Sequence, residues 1–162
     1  MKLIIGLGNP GEKYQNNRHN AGAMLTEFLK MRPPISTDKE RIIADTTGVY
    51  MNESGRVVKK LIDFYKILPQ NLYLVYDDLD IPLGSYKIVQ GRGPRLHNGV
   101  ESVKNALGTE NFWHVRIGVE GRDRGRDRVS GKDYVLQNFT EEEKRRLKEV
   151  IGKIEEDLRG RF

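Results

Sequence analysis

Three histidines are the side chains best suited to acid–base chemistry in this sequence: His19, His97 and His114. An imidazole changes protonation state near neutral pH, so it can take a proton from water or return one. His19 lies in YQNNRHNAG, directly before a segment with helical apolar spacing, where Asn20 can cap the helix. His97 precedes another helix, which Asn98 can cap. His114 lies in the strand-like FWHVRIG, where a packed side chain is expected.

A run of acids, Asp77, Asp78 and Asp80, follows the apolar segment NLYLVY. Carboxylates this close together suit magnesium or calcium, but the calcium-loop pattern is absent and Pro82 follows at once. A carboxylate at a strand end can instead fix the tautomer of a histidine and stabilise its protonated form. The G-x-S-x-G pattern of a serine nucleophile does not occur. We therefore predict that His19, paired with Asp77, activates water as a general base.

The segment GLGNPG, residues 6–11, matches the letters of the dinucleotide-binding pattern G-x-G-x-x-G. That pattern binds pyrophosphate at the start of a helix that begins inside it. Here EKYQNNRHN follows, and helical periodicity begins only near residue 20. No strand ends in an acid about 20 residues further on, where a ribose ligand belongs. We reject nucleotide binding and predict a sharp turn that presents Asn9, whose amide can donate to a developing oxyanion.

Strands alternate with helices along the chain, which predicts an α/β fold. We expect a single domain over residues 1–162, built as a three-layer sandwich with a mixed, mainly parallel central sheet flanked by helices. Ligands of such sheets bind beyond the carboxyl ends of the strands, where the candidate residues fall. Thr140 and Glu143 predict a capping box for the last helix. The predicted strands cover 2–8, 41–46, 71–80, 85–90 and 112–120, and the predicted helices cover 21–31, 54–68, 99–108 and 140–158.

The composition is that of a folded, water-exposed domain, with 37% hydrophobic and 31% charged residues among 162. No apolar run approaches the roughly 18 residues of a membrane span. The absence of cysteine excludes disulfides and thiolate chemistry and fits a reducing cytoplasm. The net charge is +5, and residues 81–132 carry ten basic and five acidic side chains. This concentration fits either a polyanion partner or a pair of solvated loops.

Five segments together resemble the bacterial-type peptidyl-tRNA hydrolases in order and spacing. The segments are GLGNPGEKYQNNRHNAG, YMNESG, YDDLDIPLG, HNG and FWHVRIGVEG, within a resemblance that spans about residues 2 to 138. The resemblance implies a cytoplasmic enzyme that cleaves the ester joining a peptide to the 3′ end of tRNA. Its partner is peptidyl-tRNA, and neither a metal nor an organic cofactor is implied. We expect a monomer that does not associate with membranes.

By position, the resemblance assigns His19 as the catalytic base and Asp77 as the acid that supports it. Asn9 matches the residue that helps distinguish N-blocked peptidyl-tRNA from free aminoacyl-tRNA. The other candidate positions are expected to contact the substrate or the tRNA. They are the amides Asn52 and Asn98, the aromatics Tyr14 and Tyr50, Met51 in the cleft wall, and the basic residues Arg92, Arg95 and Arg116.

The sequence departs from the family pattern at three places. The loop GRGPRLHNG has Pro94, Arg95 and Leu96 where the family usually has Gly-Gly directly before the histidine. The 32–50 region is short where relatives usually carry a longer hairpin, and the C-terminus follows soon after one final helix. We expect these differences to change stability and tRNA affinity rather than chemistry. The alternative hypothesis is a non-catalytic RNA-binding relative, because this fold has been reused in chloroplast splicing factors.

Overall fold

The central sheet is mixed and mainly parallel, as predicted. The computed structural model describes residues 1–125 and 127–162, so Arg126 of the basic segment 121–132 lies outside the described residues. The strand order is β2-β1-β3-β5-β4, in which β4 is antiparallel to β5 and the other neighbours are parallel. The strands are β1 (Lys2–Gly6), β2 (Ile42–Thr46), β3 (Leu72–Pro82), β4 (Tyr86–Gln90) and β5 (Trp113–Glu120).

Helices cover both faces of the sheet, which confirms the three-layer arrangement. The helices are α1 (Ala21–Lys30), α2 (Ser54–Tyr65), α3 (Asn98–Leu107), α4 (Gly131–Val135) and α5 (Glu141–Arg161). Because side chains alternate along a strand, Ile4 and Val75 pack against α1 and α5, whereas Ile5 and Leu74 pack against α2 and α3. Within the described ranges, no helix is both long and apolar enough to cross a bilayer.

The helix ends show which local sequence signals predicted the structure and which did not. The predicted capping box is present, with Thr140 accepting from the Glu143 N–H and Glu143 accepting from the Thr140 N–H. Helix α2 ends before the predicted residue 68, because Lys66 adopts left-handed backbone with a φ of 55°. Helix α4 was not predicted, since one turn and a half is too short to show apolar periodicity. Its start is nevertheless capped by the Ser130 side chain.

The carboxyl ends of β1 and β2 lie beside Val75 of β3, which continues beyond them to Pro82. The first turn of α1 packs there, with the Ala23 N–H donating to the carbonyl of Leu7. A Cβ atom on Gly22 would collide with the carbonyl oxygen of Val75, so only glycine allows α1 to approach β3 this closely. The chain reaches α1 through a 3-10 turn, Arg18–Asn20. This close approach places that turn beside Asp77 of the central strand, β3.

Candidate active site

The structure brings the predicted histidine and carboxylate together. His19 lies on the 3-10 turn before α1, and its Nδ1 is 2.8 Å from Oδ2 and 3.0 Å from Oδ1 of Asp77 on β3. An ionised carboxylate can only accept, so Nδ1 carries the proton and donates it. Nε2, on the other side of the ring, keeps its lone pair and makes no hydrogen bond to residues 1–125 or 127–162.

A second histidine binds the same carboxylate. Nε2 of His97 is 2.9 Å from Oδ1 of Asp77, and Nδ1 of His97 accepts from the N–H groups of Gly99 at 3.2 Å and Val100 at 3.3 Å. A nitrogen that accepts carries no proton, so His97 is a neutral imidazole that donates from Nε2. A helix cap was one of two open interpretations of Asn98, the other being a contact with a ligand. Asn98 does not cap α3, because His97 occupies the capping position and satisfies those N–H groups.

The charges of the pair follow from burial and from these bonds. Burial raises the pKa of Asp77, but the two histidines outweigh this effect, so the pKa lies well below its usual range and the carboxylate stays ionised. Burial lowers the pKa of His19, but the charge of Asp77 and the hydrogen bond to it outweigh burial, so the pKa lies above its ordinary value. Asp77 therefore stabilises the imidazolium that forms when His19 accepts a proton.

The same three side chains offer potential metal ligands. Atoms of His19, Asp77 and His97 lie within 4.8 Å of one another. A cation between them would displace the ring protons that both histidines donate to Asp77. For His97 this would leave an imidazolate, because its Nδ1 already accepts from two N–H groups. The donor set therefore fits a hydrogen-bonded acid–base group better than a metal centre.

Asn9 is held rigidly in the turn after β1. Its Oδ1 accepts from the Met51 N–H at 3.0 Å, its own N–H donates to Oδ1 of Asn20 at 3.0 Å, and its carbonyl accepts from Nδ2 of Asn20 at 2.9 Å. The sequence suggested that the Asn20 side chain caps α1. Asn20 occupies the capping position, but its side chain binds the backbone of Asn9 instead. Within the described chain Nδ2 of Asn9 makes no hydrogen bond, which leaves it available as a donor to a ligand.

We expect Asn20→Ala to lower both stability and activity, because it removes two hydrogen bonds that fix Asn9. The free energy of unfolding should fall by about 1–3 kcal/mol, and kcat should fall on the order of tenfold as the amide loses its position. Denaturant unfolding and steady-state kinetics measure the two effects. Asn16→Ala is the matched control, since the Asn16 side chain makes no hydrogen bond in the described part of the chain. Full activity in the Asn20 variant would contradict this role.

The pair lies in a cleft of about 680 Å³ between the turn after β1, the segment before α2, the start of α3, and α4. Residues of α4, such as Lys132 and Val135, complete one wall and were not predicted. The predicted side chains that line the cleft are Asn9, His19, Tyr50, Met51, Asn52, Asp77 and Asn98.

The lip of the cleft carries exposed side chains. Tyr50 is 51% exposed, and Leu96 is 94% exposed at the end of the loop that differs from the family pattern. Tyr14 does not line the cleft but packs edge-on against Tyr50, with 6.2 Å between ring centroids. Arg92 and Arg95 are exposed on the same loop as Leu96. Basic and apolar side chains are thus exposed together on the loop that contributes Leu96 to the cleft.

The other two acids of the predicted run, Asp78 and Asp80, bind different partners. Asp78 is buried and accepts from Nε of Arg116 at 2.6 Å. Asp80 accepts from the backbone N–H of Arg95 at 3.1 Å and so holds the loop beside the cleft. Arg116 is itself buried, so its predicted contact with tRNA stays a prediction.

Comparison with known proteins shows the family of the chain. The family model described as peptidyl-tRNA hydrolase matches residues 3–160. The chain is 42% identical to a peptidyl-tRNA hydrolase of Geobacillus thermodenitrificans, covering 93% of this chain and 87% of that protein. It is 37% identical to one of Desulfitobacterium hafniense, covering 94% and 88%. The crystal structure of peptidyl-tRNA hydrolase from Acinetobacter baumannii matches with a TM-score of 0.76 at 30% identity, covering 94% of this chain and 83% of that one. The chain belongs to the peptidyl-tRNA hydrolase family.

Proposed function

We propose that this chain hydrolyses the ester bond of peptidyl-tRNA, releasing free tRNA and an N-blocked peptide, and acts as a monomer in the cytoplasm. The observation that carries the proposal is the hydrogen bond from Nδ1 of His19 to Asp77, which leaves Nε2 as a base in the cleft. Membership of the family supports the choice of substrate.

The proposed reaction is general-base hydrolysis. Nε2 of His19 takes a proton from water, and the resulting hydroxide attacks the ester carbonyl carbon. Negative charge develops on the carbonyl oxygen, where the amides of Asn9, Asn52 and Asn98 can donate, because all three line the cleft. The bond between that carbon and the terminal ribose oxygen then breaks, and His19 returns its proton to the ribose oxygen. Asp77 stabilises the imidazolium between the two transfers.

The test is the release of tRNA from N-acetyl-aminoacyl-tRNA by the purified protein, with unblocked aminoacyl-tRNA as the control. We expect cleavage of the blocked substrate only. A protein that binds tRNA but releases none would be the non-catalytic RNA-binding relative, and the proposal would be wrong.

We expect kcat/KM to rise with pH through the elevated pKa of His19. Below that pKa the ring is protonated and cannot accept from water, and above it the ring is neutral and active. The midpoint should lie above the ordinary histidine value of about 6.5, because Asp77 stays ionised throughout the range. Initial rates across that range measure it, with circular dichroism to confirm folding at each pH. A midpoint at or below the ordinary value would remove the proposed support from Asp77.

The exposed arginines Arg92 and Arg95 are proposed to bind tRNA phosphates at the entrance of the cleft. Because such binding releases counterions, the logarithm of the tRNA association constant should fall linearly with the logarithm of the salt concentration. The double variant Arg92→Ala, Arg95→Ala should make this slope shallower by about 0.9 for each phosphate that is no longer neutralised. Filter binding at several salt concentrations measures the slope. Arg161→Ala is the control, since Arg161 pairs with Asp157 of α5, lies over the Trp113 ring and does not line the cleft. Equal slopes for the double variant and the wild type would refute this role of the two arginines.

A further inference from the structure

Arg18, directly before His19, binds groups that lie away from the cleft. It is buried, and its NH2 group donates to Oε1 of Glu143 at 2.7 Å. Its NH1 group donates to the carbonyl oxygen of Tyr134 at 3.0 Å, and the guanidinium lies 3.8 Å from the centroid of the Tyr134 ring. Its backbone N–H donates to the carbonyl of Gln137 at 3.1 Å. Arg18 thus connects two parts of the chain: the 3-10 turn on which His19 lies, and the segment from α4 to α5.

The partners of Arg18 are themselves fixed. Oε1 of Glu143 also accepts from the Thr140 N–H at 2.8 Å, as part of the capping box that begins α5. The hydroxyl of Tyr134 donates to Oε2 of the same glutamate at 3.4 Å. Glu143 therefore ties Arg18 to the first turn of the longest helix, and the guanidinium cannot shift without breaking the cap or leaving a buried charge unpaired.

Helix α4 is also a wall of the cleft. Lys132, Val135 and Leu136 line the same space as His19, whereas Tyr134 between them turns its carbonyl and ring to Arg18. The side chain of Arg18 thereby joins the turn that carries the base to the wall that borders the substrate. Its planar fork is required for this, because separate N–H groups reach a carboxylate and a carbonyl at once.

We infer that Arg18 is a positioning residue for hydrolysis: its bonds to Glu143 and Tyr134 set His19 against the α4 wall of the cleft. This inference rests on the proposed function. A displacement of the base by a fraction of an ångström slows the chemical step and leaves the proton affinity of His19, which Asp77 controls, unchanged.

The experiment compares Arg18→Met, Arg18→Lys and Arg159→Met with the wild type. Arg159 is the matched control, because it also donates to a glutamate of α5, Glu155, and to a backbone carbonyl, that of Pro33, away from the cleft. At a temperature where circular dichroism shows each variant folded, we expect kcat to fall by about 10- to 100-fold in Arg18→Met. Arg18→Lys keeps a cation for Glu143 and should recover part of that loss, whereas Arg159→Met should retain the wild-type kcat.

Two further measurements make the result decisive. The pH midpoint of kcat/KM should be the same in the wild type and both Arg18 variants. A kcat within twofold of the wild type in folded Arg18→Met would overturn the inference. If Arg18→Met does not fold, the same result in Arg18→Lys would overturn it. Failure of the proposed function is recognised separately, because the wild type itself would then release no tRNA. In that case the NMR chemical shift of the His19 ring protons reports the position of the His19 ring, because the His97 ring lies 4.8 Å away. An unchanged shift in Arg18→Met would overturn the inference.

Discussion

We expect His19→Ala to lower kcat for N-acetyl-aminoacyl-tRNA by about 10²–10⁴-fold, the usual cost of losing a general base. Of the two histidines that bind Asp77, only His19 has a ring nitrogen, Nε2, that is available as a base within the described residues. His97 uses its Nδ1 to accept from the N–H groups at the start of α3. The variant should stay folded, because Asp77 keeps its bond to His97. KM should change little, since the side chains that line the rest of the cleft are intact. Steady-state kinetics and thermal unfolding measure both effects.

His114→Asn is the control for this variant. His114 is a buried histidine outside the cleft, where Nδ1 accepts from the Tyr76 hydroxyl at 2.7 Å and Nε2 donates to the Glu110 carbonyl at 3.2 Å. The asparagine oxygen can still accept from Tyr76, so we expect a less stable protein whose folded fraction keeps its activity. A His19→Ala enzyme with near wild-type turnover would exclude His19 as the base.

We expect Asp77→Asn to be as damaging as loss of the base, on the order of 10³-fold in kcat, although the side chain keeps its shape. An amide has one acceptor oxygen, whereas Asp77 accepts from two histidines. His97 cannot exchange its proton to Nδ1, because that atom accepts from two backbone N–H groups. The amide oxygen therefore takes the Oδ1 position beside His97, and the NH2 group replaces Oδ2, which is the closer of the two oxygens to Nδ1 of His19, at 2.8 Å against 3.0 Å. The proton of His19 then lies mainly on Nε2, so only a small fraction of the enzyme keeps the basic lone pair there.

Asp80→Asn is the matched control, since it makes the same chemical change three residues further along β3. Asp80 binds Arg95 and makes no hydrogen bond to His19 or His97, so kcat at saturating substrate should be unchanged. The residual activity of Asp77→Asn should also have a lower pH midpoint, because the charge that raises the pKa of His19 is gone. Equal kcat in the two variants would contradict the hydrogen-bond assignment.

The sequence was sufficient for local signals in which the side chain has a single possible partner. The capping box of Thr140 and Glu143 was predicted and is present, because its bonds connect residues three apart. Short apolar runs identified β1 and β3, and the rule that ligands bind beyond the carboxyl ends of the strands indicated where the candidate residues lie. The pairing of His19 with Asp77 was a hypothesis, because the sequence alone cannot show that the two are close. Their contact follows from the position of β1 beside β3, which brings the start of α1 over the central strand.

Only the tertiary structure assigned the polar side chains that have two possible partners. Asn20 and Asn98 both fit helix caps by local spacing, yet Asn20 binds the backbone of Asn9 and His97 takes the cap of α3. Arg116 lies in a basic stretch of the sequence but is buried against Asp78, because their strands pair side by side. Such choices depend on which groups the packed sheet brings within hydrogen-bond distance, and residues far apart in the chain supply those groups. The sequence by itself therefore determined most of the elements and the candidate residues, and packing decided that His19 meets Asp77 and which neighbours hold the two in place.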